Sequence, residues 1–228
     1  VEQNKSKKSK EHIELDQLIQ GDGYNKETNK GCAIGCSINC YDHKKWADTL
    51  GTPLWVPKLY DRIHEGLPLD KTPQFNLDFL DALQEGMTTQ QAKKVLMQFL
   101  YDTLTNIVPK KYQSKKEIAK IIGMFKNVLN GSVISVEEWR KARAAAAYAA
   151  YAAAAYAAAA AYADAAAADA AYAAAYADAD AAADAAAYAA AAADAAYAAD
   201  AAYASRQSSY EKMGADLIRL FKEVKVVA

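Results

Sequence analysis

The sequence predicts an all-α protein, on three observations. Apolar residues recur at helical spacing through most of residues 11–143, capping signatures and Gly or Pro punctuation divide that region into helices, and a long Ala-rich stretch follows. No strand pattern of useful length appears. The expected architecture is a helical N-terminal region, close-packed Ala-rich helices folded as a hairpin or stack, and an amphipathic C-terminal helix. Its divisions are a flexible basic arm over 1–10, a helical globular region over 11–134, an Ala/Tyr/Asp-rich helical region over 135–204, and a C-terminal helix over 205–228 that packs back on the first region.

Residues 1–10 carry four Lys and, after Val1, no large apolar side chain, so they bury too little surface to offset ordering. Ile13, Leu15, Leu18 and Ile19 then form a short amphipathic helical segment that stops at Gly21-Asp22-Gly23. A loop rich in Gly, Asn and Lys follows to about Lys30. A first segment ends near Gly51, and Pro53 and Pro57 separate it from a helix over about Pro57 to Glu65, with Gly66 just past its end. The helix from Thr72-Pro73 turns Phe75, Phe79, Leu80 and Leu83 inward and ends at Gly86. Thr88 to Gln91 reads as a capping box for a helix carrying Val95, Leu96, Phe99, Leu100 and Leu104 up to Pro109. Ser114 to Glu117 opens another, with Ile118, Ile121, Ile122, Phe125 and Leu129 inward, closing at Gly131. Ser135 to Glu138 repeats the capping signature, and its helix runs straight into the Ala-rich segment.

Residues 144–204 contain only Ala, Tyr and Asp, and seven Asp and nine Tyr leave 45 Ala. Ala has the highest helix propensity and loses no side-chain entropy on ordering. As one helix the stretch would reach about 90 Å at ~1.5 Å per residue, so at least one break is expected. The densest run of acids, Asp178, Asp180 and Asp184, places it near residues 177–181, where a carboxylate can cap a new helix start. At about 100° per residue the Tyr and Asp positions scatter around the axis and mark no single face for solvent, as in a helix packed among others. Asp194, Tyr197, Asp200 and Tyr203 recur every three residues, so rings and carboxylates alternate along a shallow spiral. The final helix, roughly Arg206 to Val224, places Met213, Leu217, Leu220, Phe221 and Val224 on one face, toward the core.

Charge narrows the function classes. Residues 1–143 balance at +4, the Ala-rich stretch at −7 and the last 24 residues at +2, which sums to the formal −1 of the chain. The near-neutral total argues against a duplex nucleic-acid binder, which needs a concentrated basic face to displace counterions. No apolar run suits a bilayer, because Asp interrupts the Ala stretch. Three Cys, an odd number, suit a reducing compartment, and no secretory leader pattern is seen. The expected location is the cytoplasm of a bacterial host cell.

Cys32, Cys36 and Cys40 stand at i, i+4 and i+8, with His43 three residues on. On one helix the outer two would lie about 12 Å apart at ~1.5 Å per residue, too far to share a tetrahedral zinc. No metal ligand is therefore expected from the three thiols. Cys32 follows a Gly-rich loop and is placed to start a helix, which makes Cys32 or Cys36 with His43 the alternative reading of a cysteine-dependent enzyme. Small thiols beside glycines more simply serve close packing.

Gly31 to Cys36 forms a GCAxGC segment, Leu50 to Trp55 a Leu-Gly-x-Pro-x-Trp turn, and Asp61 to Pro68 an Asp-Arg-Ile-x-Glu-Gly-Leu-Pro helix end, before the Ala-rich tail and end helix at 144–224. In these features the chain resembles a group of bacterial and phage proteins of unassigned function. The resemblance implies a mobile-element or phage setting and carries no catalytic assignment. By analogy with small phage proteins that counter host defence, it suggests a non-enzymatic binding protein that sequesters a nucleotide-like immune signal or blocks a host defence protein. A structural or assembly role, with the Ala segment as a spacer, is a further alternative. Tyr rings stack on bases and carboxylates accept hydrogen bonds from ribose hydroxyls. The candidate ligand-binding residues are Tyr172, Tyr176, Tyr188, Tyr197, Tyr203, Asp194 and Asp200. Phosphates would fall to Arg140 and Arg143, or to Lys44, Lys45 or Arg62. No cofactor is expected, and Ala-helix packing points to a homo-oligomer.

Overall fold

A computed structural model describes residues 9–84, 87–153, 166, 169–170 and 199–224. The protein is all-α: among the described residues there is no strand, only isolated bridges from Gly31 to Leu18 and to Tyr24. Helix α1 covers 9–14, α2 Ala33–Ile38, α3 His43–Leu50 and α4 Trp55–Gly66. A 3-10 turn at Leu69–Lys71 leads into α5, Thr72–Ala82. Helix α6, Thr89–Asp102, continues as a π-helical turn over Thr103–Ile107. Further along the described residues come α7 Lys110–Gln113, α8 Lys116–Leu129, α9 Val136–Ala153 and α10 Ala199–Glu223, and residues 166 and 169–170 are also helical. The break expected near 177–181 lies outside the described residues.

Local chemistry explains most of these boundaries. The capping box of α6 is complete, with the Thr88 hydroxyl accepting from the Gln91 amide and the Gln91 side chain accepting from the Thr88 amide. Ser135 and Glu138 make the same reciprocal pair at the start of α9. Asp42 caps α3 by accepting from the Lys45 amide, and Gly51 closes it at φ 63, a left-handed conformation that glycine adopts without a Cβ clash.

Four sequence expectations are corrected. The segment carrying Ile13, Leu15, Leu18 and Ile19 is not one helix: α1 ends at 14, Asp16 turns left-handed at φ 53, and Leu15 is 65% exposed. The reason is competition from the following loop, since the Ile19 amide donates to the Gly31 carbonyl and the Gly31 amide donates to Gln17. Residues 9–10 are helical, with Ser9 only 3% exposed. Ser114 does not cap α8, whose N-cap is Lys115 with no side-chain capping bond. Gly66 is the last residue of α4, not the residue after it, and a Cβ there would overlap the ring of Tyr210 on α10. That position is small because the two helices meet there.

The expected inward face of α10 is borne out. Met213, Leu217, Leu220 and Phe221 are buried, Val224 packs at the edge, and the helix lies against α4, α5 and α6. Aromatic rings run through this junction. Tyr60 stacks on Phe79 with centroids 4.3 Å apart, Phe79 meets Phe221 edge-on at 5.6 Å, and Phe221 stacks on Trp55 at 6.0 Å. Each such contact contributes roughly 0.5–1.5 kcal/mol beyond the area it buries. Helix α9 packs on α8 through Trp139, Ala142 and Ala146, and Ala166 and Ala170 also belong to the core.

Candidate functional site

The first half of the chain concentrates its buried polar chemistry around the middle of α4. Gly23, Gly31 and Gly35 let the loop before α2 approach its backbone closely, and a Cβ at Gly35 would overlap the Gly23 carbonyl oxygen. Cys32 caps α2 with an extended backbone, and its amide donates to the Asp22 and Gly23 carbonyls. The loop is then clamped on α4. Gln20 donates to the carbonyls of His64 and Leu67, and the Gly21 amide donates to Glu65 Oε2 at 2.8 Å.

Asp61 lies at the centre of this arrangement, 8% exposed. Its Oδ2 accepts from the Tyr41 hydroxyl at 3.0 Å and pairs with His43 Nε2 at 3.0 Å. The Cys32 thiol lies against the same carboxylate, and Cys32, Asp61 and Glu65 each bring one donor atom to within 4.8 Å of the others. Burial alone would raise the Asp61 carboxyl, but the hydrogen bond and charge of His43, with help from Cys32 and Tyr41, hold it below the usual carboxylate range. Burial, reinforced by Asp61, pushes the Cys32 thiol far above its ordinary value and raises Tyr41 as well. Glu65 is raised by burial, partly offset by the Gly21 amide.

The cysteine pattern resolves into three environments. Cys32 is the N-cap of α2, Cys36 sits inside it, and Cys40 falls beyond the left-handed Asn39 that ends it. Cys36 donates to the Gly31 carbonyl at 3.2 Å, and burial pushes its thiol up to about 12. A nucleophilic thiol needs a lowered pKa and an adjacent base. Here both buried thiols shift the other way, and His43 is engaged by Asp61. The geometry gives the cysteine-enzyme alternative no support.

Among the ligand-binding candidates, Arg140 and Arg143 stand exposed on α9, Arg140 with Glu137 at 4.0 Å. Asp200 and Tyr203 fall in the first turns of α10, beyond the residues whose side chains are described. Tyr172, Tyr176, Tyr188, Asp194 and Tyr197 lie outside the described residues. Tyr148, which sequence reasoning passed over, is 77% exposed on the same helix as the two Arg. Its signal was available: at ~100° per residue it lies opposite Trp139 and Ala146. By the same geometry Arg140 is about 80° around and ~12 Å along the axis from Tyr148, and Arg143 about 140° around. The three share a helix but not one stripe.

No family model, curated protein or solved structure matches the chain. Among the described residues, no helix is long and apolar enough to cross a membrane. Asp61 and Glu65 were also missed from sequence. Asp61 and His64, three apart on a helix whose other inner residues include Val56, Leu59, Tyr60 and Ile63, were the available signal.

Proposed function

We propose that the protein is a non-enzymatic binding protein of phage or prophage origin, acting against host defence by sequestering a nucleotide-like signal. Blocking of a host defence protein through the same surface is the other form this reading takes. The supporting observation is Tyr148. Along the described part of α9, Ala142 and Ala146 are buried, while Ala144, Ala145, Ala147 and the Tyr148 ring stand in solvent. A helix that buries one narrow Ala face leaves rings such as Tyr148 on its outer side, each worth roughly 1–3 kcal/mol per stacked base. Asp residues supply acceptors for ribose hydroxyls, and Arg140 and Arg143 supply charge for phosphate. Homo-oligomerisation through Ala faces belongs to the same proposal, since the small side chain lets helix axes approach toward the lower end of the usual ~8–10 Å.

The test is Tyr197→Ala with Tyr203→Ala, and separately Tyr148→Ala, assayed for nucleotide affinity with helicity checked by circular dichroism. Affinity falls about tenfold or more for each ring that stacks. Unchanged affinity in a folded variant removes that residue from the site.

A further inference from the structure

We propose that Cys32, Asp61 and Glu65 form a binding site for a thiophilic divalent cation of the zinc or cobalt class. The site joins a loop residue to two positions one helical turn apart on α4, so the spacing of the three cysteines could not reveal it. Their donor atoms lie within 4.8 Å of one another. Tetrahedral coordination at ~2.3 Å for sulfur and ~2.1 Å for oxygen needs separations of about 3.5 Å. The exposed Glu65 side chain supplies that adjustment of about 1 Å.

Two further observations point to a ligand. Asp61 Oδ1 is buried and has no hydrogen-bond partner, whereas Oδ2 accepts from Tyr41 and pairs with His43. A buried carboxylate oxygen left without a partner is costly. Moreover, both carboxylates are already oriented from outside the cluster, Asp61 by Tyr41 and His43 and Glu65 by the Gly21 amide. Such outer donors fix and tune metal-binding carboxylates. Cation binding replaces the thiol proton, which passes to solvent, and leaves a thiolate, two carboxylates and a solvent-side position on the metal. This coordination is independent of the nucleotide reading.

The test is titration of the chelator-treated 228-residue chain with Co²⁺ alone, read by thiolate-to-cobalt charge-transfer absorption. The wild-type chain takes up one equivalent with that band, and Zn²⁺ displaces it. Cys36→Ser and Cys40→Ser retain the band, Cys32→Ser abolishes it, and Glu65→Gln weakens Co²⁺ binding about tenfold or more. Glu65 is exposed, so Glu65→Gln decides the matter if Cys32→Ser does not fold. No charge-transfer band in the wild-type chain overturns the proposal, as does a band that survives Cys32→Ser or an affinity that Glu65→Gln leaves unchanged.

Discussion

Cys36 donates to a carbonyl inside the core while Cys40 sits half-buried past the end of α2, and this difference orders their reactivity. Alkylation at neutral pH is expected to modify Cys40 first and Cys32 and Cys36 far more slowly, read by mass spectrometry of quenched digests. Rapid labelling of Cys32 would contradict the burial that raises its thiol. A histidine gives the second prediction at this scale. His64 Nε2 donates to the Ile19 carbonyl at 3.0 Å, and its Nδ1 accepts from Asn76 Nδ2 at 3.1 Å, so the pocket is built for the neutral ring. Burial holds its pKa below the ordinary 6.5. Once pH falls below that value the unfolded chain binds more protons than the folded one, so stability declines from there downward and is unaffected above it. Nuclear magnetic resonance should find the His64 titration midpoint below 6.5, and a midpoint above that value would contradict the assignment. Neither environment was legible in the sequence, because both depend on the loop before α2 folding onto α4, a contact no local spacing encodes.

At the scale of elements, legibility followed the locality of the cause. The boxes at Thr88 and Ser135 and the glycine stop at Gly51 are set by neighbours in sequence, and the structure has them as expected. The start of α8 differs because Lys115, not Ser114, holds the cap position. The segment after α1 failed for a tertiary reason, since Gln17 and Ile19 bond to Gly31 and leave the helix. Helix α9 has the most consequential cap, because it carries Trp139 against Phe125, with ring centroids 5.0 Å apart, and leads into the Ala-rich stretch. Ser135→Ala removes the hydroxyl that accepts from the Glu138 amide, and is expected to cost about 1 kcal/mol in urea unfolding. A loss below a few tenths would show that tertiary packing alone sets the start of α9.

In the whole molecule, α10 is the element that closes the fold, bringing residues near the C-terminus against α4, α5 and α6 through Phe221, Leu217 and Met213. Its amphipathic stripe made that legible in advance, whereas the path of the Ala stretch was not, because 45 Ala present the same side chain at nearly every register. What the described start of that stretch adds is one inward position, Ala146, with Tyr148 on the opposite, exposed side. The central claim is that such rings bind a nucleotide-like ligand. It is tested most directly by a thermal-shift screen of the purified chain against cyclic and linear nucleotides, including adenosine diphosphate ribose derivatives. Binding to the folded state alone stabilises it by about 2.7 kcal/mol at a hundredfold excess over the dissociation constant, so the account predicts a large shift confined to one ligand class. Uniform absence of a shift across the saturating panel would contradict it and leave a host protein as the partner to seek.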